Sequence, residues 1–335
     1  MRIEMRYFRY HFRETLTRLV IMLVLAVLYQ TMTITEEEGE IVLGAHLWIS
    51  VVLALYMPIL EFRMFNNRRN LDTWFSLPID RSKLAMVHLL NGAFHITLVS
   101  AVSLFYLRAM TFLASGPRGT LTLFSYWVTT LLLTLLAYGF FSFVFTQANS
   151  TRDGTLFICD YALLPLMTST FLLDRIGITG FKFRGMIWVL NATTRAFADD
   201  MRVSSSLFDL LLDYSYLNGD GTEFWIHLVL NCLICIGAIV LLFYLFNRKH
   251  TEKVEDISDS WFGFRTLIPA YALITVSKTE SIQGFMFRII FIFVAYIIYR
   301  RTVQLKKSDY IVIFLYGLLM LILSMTPGEP AWQGL

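Results

Sequence analysis

The sequence predicts an all-α polytopic membrane protein with eight or nine transmembrane helices, and three observations predict it. Of 335 residues, 56% are hydrophobic and only 16% charged, at a mean hydropathy of +0.60; a soluble domain carries about 25% charge. The apolar residues come in uninterrupted runs of about 20, the length at which a helix spans a bilayer core. Basic residues gather between alternate runs, as the positive-inside rule requires of cytoplasmic loops. A net charge of +3 implies no polyanionic partner, nucleic acid included.

The runs place spans at 17–34, 41–60, 84–107, 121–146, 155–173, 224–246, 284–299 and 310–325. A shorter run, 267–277, reads equally as a crossing or a re-entrant segment. Positive charge arbitrates. Arg2, Arg6, Arg9, Arg13 and Arg18 mark the N-terminus, and Arg63, Arg68, Arg69, Arg81 and Lys83 mark the 61–83 loop. The loop from Thr35 to Glu40 holds Glu36, Glu37, Glu38 and Glu40 with no base. Placing the basic loops 247–266 and 300–308 on one side needs two crossings between them. That favours nine spans in a cell membrane, N-terminus cytoplasmic and C-terminus outside, with eight as the alternative. The basic start followed by Leu19 to Leu28 resembles a leader, but no small-x-small cleavage site follows, so an uncleaved first span is expected.

Residues 1–16 read as an amphipathic interface helix. Arg2, Arg6, Arg9 and Arg13 recur on one helical face, with Met5, Phe8, Phe12 and Leu16 on a neighbouring apolar one. In the 61–83 loop a short amphipathic helix is expected over 64–77. Met64, Leu71 and Phe75 share a face with Trp74 at its flank, while Arg68, Arg69 and Asp72 occupy another. Pro78 stops it and Asp80 caps the third span. About fifty residues, 174–223, separate the fifth and sixth spans as an outer region with a turn at Asn218 to Gly221.

Catalytic signatures are missing: the chain has no G-x-x-x-x-G-K-[ST], H-E-x-x-H or G-x-S-x-G. No catalytic residue and no resident cofactor is therefore assigned. Cys232 and Cys235 form a C-x-x-C inside an apolar run without His or a second pair, which reads as packing rather than zinc or redox chemistry. Polar stripes do occur within spans. His88, Asn91 and His95 share one face of the third, and Glu223, His227 and Asn231 one face of the sixth. Polar groups at membrane depth face a bundle interior or a water-filled cavity. They either line a translocation path or bond helix to helix, and spacing alone leaves both open. No converging metal-ligand set is evident.

At Phe75-Ser-Leu-Pro-Ile-Asp-Arg-Ser-Lys-Leu84 the sequence resembles the type-2 class of ATP-binding-cassette exporter permeases, which carry a similar phrase after their first coupling helix. The run from Phe246 to Lys253 is similar to a segment that leaves the sixth span in bacterial members. The amphipathic N-terminus resembles their interface helix. The resemblance covers residues 17–250 as a six-span core, leaving 251–335 as an extension with two or three further membrane segments. It implies a coupling helix docked on a separate cytoplasmic ATPase that binds ATP and Mg. Arg68, Arg69, Asp72 and Arg81 would be the polar contacts, Trp74 and Phe75 the apolar bracing and Pro78 the stop. It also implies a second permease copy or paralogue beside membrane lipid, and an amphipathic peptide, antimicrobial or lipid-like cargo. His88, Asn91, His95, His227 and Asn231 are the residues expected along the path. The competing expectations are a stand-alone secondary transporter, a membrane-embedded enzyme and a sensor.

Overall fold

A computed structural model describes residues 2–33, 40–68, 79–115, 120–163, 221–249, 254–258, 260–274 and 282–325. Among these residues the chain is helical with no strand. The helices are α1 (Arg2–Thr33), α2 (Glu40–Phe62), α3 (Arg81–Ser115), α4 (Thr120–Thr146), α5 (Thr151–Leu163), α6 (Gly221–Asn247), α7 (Phe264–Ile274), α8 (Ile282–Arg300) and α9 (Lys307–Met325). Among the described residues five segments are long and apolar enough to cross a membrane: Met5–Met32, Ala45–Asn66, Arg81–Ala109, Leu123–Thr146 and Leu228–Asn247. They overlap the first four expected spans and the sixth, the first of them starting at Met5 where residue 17 was expected. Ile289–Arg300 adds a shorter apolar stretch. Residues 164–173 of the expected fifth span and the 174–223 region lie outside the described residues.

The chain divides into two units, Met1–Ile158 with Arg184–Asp256, and Cys159–Phe183 with Ile257–Leu335. In the first, α2 packs on α3 and α4, α1 on α2 and α3, and α6 on α3 and α4. The expected interface helix and first span form one continuous helix, α1. Its buried stripe runs His11, Thr15, Leu19, Ala26 and Gln30, at helical spacings of four and seven. The arginines Arg6, Arg9 and Arg13 stay exposed, as expected, and so do Met5 and Leu16.

That stripe shows the layering of the bundle. One end is polar, with His11, Thr15, Glu61, His88 and Asn91; the other is polar again, with Gln30, His46 and Ser103. Between them Leu19, Ala26, Ile49, Leu53, Met57, Ile96, Val99 and Tyr138 form an apolar core. Lipid is as apolar as leucine, so this layer contributes close packing rather than a hydrophobic driving force. The polar ends add directional bonds. At the Gln30 end, Gln30 Nε2 donates to Ser103 Oγ at 2.5 Å, and His46 Nδ1 stands 2.9 Å from the same oxygen.

Close helix approach depends on one glycine in particular. A Cβ on Gly92 of α3 would lie 2.1 Å from Tyr138 Oη of α4 and 3.1 Å from Glu61 Cγ of α2. Only a residue without a side chain lets all three helices meet there.

In the second unit α7, α8 and α9 pack together around Ile268, Ala272, Ile292, Tyr296, Tyr299 and Tyr316. Arg300, at the end of α8, donates from Nε and Nη2 to the two carboxylate oxygens of Asp309, both at 3.0 Å. Asp309 also accepts the Lys306 backbone N–H at 3.1 Å, so one carboxylate ties α8 to the first turn of α9. Tyr161 donates to the Phe262 carbonyl at 3.1 Å, and Tyr271 donates to the Asp160 carbonyl.

Candidate functional site

The polar end of the first unit is built around Glu61, which closes the apolar run of α2. Its side chain is fully buried. A carboxylate at that depth is costly unless its oxygens are bonded. Here they are. Arg18 Nη1 donates to Oε1 at 3.2 Å and Asn91 Nδ2 donates to Oε1 at 3.1 Å. His11 Nε2 stands 3.0 Å and His88 Nδ1 3.4 Å from Oε2. With both ring nitrogens as donors, Glu61 accepts from α1 and α3 together. The far nitrogen of His88, Nε2, lies 3.0 Å from the Tyr7 hydroxyl. The His11 and His88 rings meet edge to face with centroids 4.2 Å apart. Ligand atoms of His11, Glu61 and His88 all lie within 4.8 Å of one another.

Asn91 bridges onward to Thr15 Oγ1 at 3.3 Å, and its own carbonyl accepts from His95 Nδ1 at 2.7 Å. The expected stripe of α3 thus holds: His88, Asn91 and His95 are fully buried on one face. Two of the three reach Glu61. His95 turns back on its own helix, and its Nε2 has no hydrogen-bond partner. Asn231 of α6 is buried; the side chain of His227 lies outside the described residues. Glu61 and His11 carry the site and were not singled out in the sequence. The clue to them was slight: an acid at the last turn of a span, and a histidine among arginines at the spacing of Thr15 and Leu19.

A second arrangement occupies the helix ends beside this cluster. Lys249, just past α6, is partly buried. Its ammonium donates to Asn66 Oδ1 at 2.7 Å, to the Ala148 carbonyl at 3.0 Å and to the Thr146 carbonyl at 3.2 Å. Burial pulls its pKa down to about 7, because the charged form is the one that loses hydration. Arg81, the first residue of α3, donates to the Lys249 carbonyl at 2.9 Å. Glu255 sits in the left-handed region at φ 71°. Its N–H donates to the Asn149 carbonyl at 2.8 Å, and its carboxylate accepts the Arg68 N–H at 3.3 Å. Segments 63–68, 79–81 and 146–149 are thereby tied to Lys249 and Glu255 in one clasp. Phe62, Phe65 and Phe246 pack between it and His88, with Phe65 centroids 5.1 Å from Phe246 and 5.0 Å from His88.

Of the expected coupling residues, Arg68 is exposed and Arg81 partly buried. Arg69, Asp72, Trp74, Phe75 and Pro78 lie outside the described residues. A 3-10 turn, Arg63–Asn66, follows α2, and Asn67 then turns extended with φ −119° and ψ 121°. Asp80 precedes α3: its carbonyl accepts the Leu84 N–H at 2.9 Å, and its carboxylate pairs with Lys83 at 3.3 Å. No family model, curated protein or solved structure matches the chain.

Proposed function

We propose that the chain is the membrane-spanning permease subunit of an ATP-driven exporter, working with a separate cytoplasmic ATPase. The observation that carries this reading is the clasp around Lys249. It joins the ends of α2, α4 and α6 to the start of α3 at the two roots of the 69–78 segment. A push on that segment would reach the helices as one body instead of dissipating in loose loops. The Glu61 cluster extends the linkage to α1. The same end is rich in bases, among them Arg63, Arg68, Arg81, Lys83, Arg248 and Lys249, which supports a cytoplasmic orientation. In this reading the chain crosses the membrane eight or nine times and pairs with a second permease. Its cargo is amphipathic, and it hydrolyses nothing itself.

A second reading has its own support. A carboxylate with two imidazoles inside spans is the kind of cluster that ion-coupled secondary transporters use. Affinity purification of wild type beside an Arg68→Glu/Arg69→Glu variant, with an ATPase assay, separates the two. An ATPase that accompanies wild type and is lost from the variant is the expected result. Wild type emerging alone, in a detergent known to preserve such complexes, overturns the exporter reading in favour of the secondary transporter.

A further inference from the structure

We propose that His11, Glu61 and His88 form a binding site for one divalent transition-metal ion of the zinc class. The proposal stands apart from the exporter reading. The three side chains come from three helices and are at most 1% exposed. Two of the ligand separations are 3.0 and 3.4 Å, and all fall within 4.8 Å. Donors around a tetrahedral ion at about 2.0–2.1 Å stand about 3.3 Å apart. The gap is therefore already close to the size of a coordination sphere. Two imidazoles with one carboxylate suit zinc, iron(II) or cobalt(II); calcium and magnesium prefer oxygen alone.

The surroundings supply outer partners for two of the three ligands, His88 and Glu61. With Nδ1 of His88 on the ion, its Nε2–H would donate to the Tyr7 hydroxyl 3.0 Å away. Asn91 donates to Oε1 of Glu61 and leaves Oε2 for the ion. Outer partners of this kind fix the ring tautomer and the carboxylate orientation. His11 would carry its proton on Nδ1, which has no hydrogen-bond partner and so is occupied by no donor. Water would take the fourth position.

Charge gives the proposal its signature. Arg18, 26% exposed in its side chain, balances Glu61 in the absence of metal. An entering dication meets that guanidinium across the carboxylate, so arginine and metal compete. Removing Arg18 should tighten metal binding while loosening the metal-free fold. A purely hydrogen-bonded lock has no reason to behave so.

The test uses the full chain in phosphatidylcholine nanodiscs, stripped with chelator and titrated with Co²⁺ and then Zn²⁺. Metal content, visible absorption and the thermal unfolding temperature are recorded. The expected result is one Co²⁺ per chain, displaced by Zn²⁺, with a four- or five-coordinate spectrum and a raised unfolding temperature. The near-ultraviolet sulfur band that Cys232 or Cys235 would give should be absent. His11→Gln and His88→Gln keep a donor for Glu61 and so guard the fold; each should weaken binding at least about 100-fold. Arg18→Gln should tighten it about tenfold. Lack of stoichiometric uptake, uptake unchanged in both glutamine variants, a sulfur band, or unchanged affinity in Arg18→Gln would each overturn the proposal.

Discussion

Glu61 Oε2 lies 3.0 Å from His11 Nε2, although fifty positions separate them in the chain. That contact fastens the N-terminal helix to the last turn of α2, and Arg18 repeats the fastening one oxygen away. Removing the carboxylate strands several donors at once. Glu61→Ala is expected to destabilise the chain by about 3 kcal/mol, the scale for breaking one partner out of a buried ion pair. Glu61→Gln keeps shape and one acceptor and should cost less. Unfolding in mixed micelles under increasing SDS would rank wild type, Gln and Ala in that order.

The opposite polar end should matter less. Ser103 there serves Gln30 and His46, all neutral groups, and neutral bonds between membrane helices average about 0.6 kcal/mol. Ser103→Ala is therefore expected to lower stability by about 1 kcal/mol in the same assay, well short of Glu61→Ala. Equal losses at the two ends would show that charge at Glu61 adds nothing.

Gly92→Ala puts a methyl into the space of the Tyr138 hydroxyl. Overpacking of this kind costs about 1–3 kcal/mol. Because the nearest atom is the hydroxyl itself, Tyr138→Phe should recover part of the loss. A double-mutant cycle over the two positions measures that recovery, and strict additivity would contradict it.

Lys249 sets a pH dependence. Its pKa falls from the ordinary lysine value to about 7 in the folded chain. Above that value the folded chain has released a proton that the unfolded chain still binds, so stability rises with pH. The rise spans pH about 7 to 10.5, the ordinary lysine value, and below 7 this group contributes a constant penalty. Lys249→Met abolishes the titration while losing the bonds to Asn66, Thr146 and Ala148. The difference in unfolding free energy between wild type and Lys249→Met should therefore grow in favour of wild type as pH rises through that window, and stay flat below it.

Five of the expected spans, the first four and the sixth, were readable because a bilayer demands length and apolarity of a local segment, and local segments are what a sequence displays. The stripe His88, Asn91 and His95 was readable for the same reason, since spacings of three and four stack on one helical face whatever surrounds them. Glu61 was not. An acid closing an apolar run looks like the first residue of a loop, and its partners stand 27, 30, 43 and 50 positions away. His11 was hidden by Arg9 and Arg13, whose spacing drew the eye to the exposed face of α1. The inward face is chosen by α2 and α3, and nothing within the first sixteen residues records that choice. Lys249 reads as one more base of the 247–266 loop, because bonds to Asn66, Thr146 and Ala148 leave no local trace.

One dimension of the bundle bears on how force would travel. α3 runs unbroken from Arg81 to Ser115, with no proline such as the Pro58 inside α2, and at 1.5 Å per residue it is about 52 Å long. It is a lever. Its near end is pinned by Arg81 and Glu61, and Ser103 lies two-thirds of the way along. A tilt of about 5° about the pinned end would sweep the far tip by about 4–5 Å, roughly the rise of one helical turn. A tilt of about 5° set at the Lys249 clasp would thus arrive at the Ser115 end as a displacement large enough to change which side chains touch.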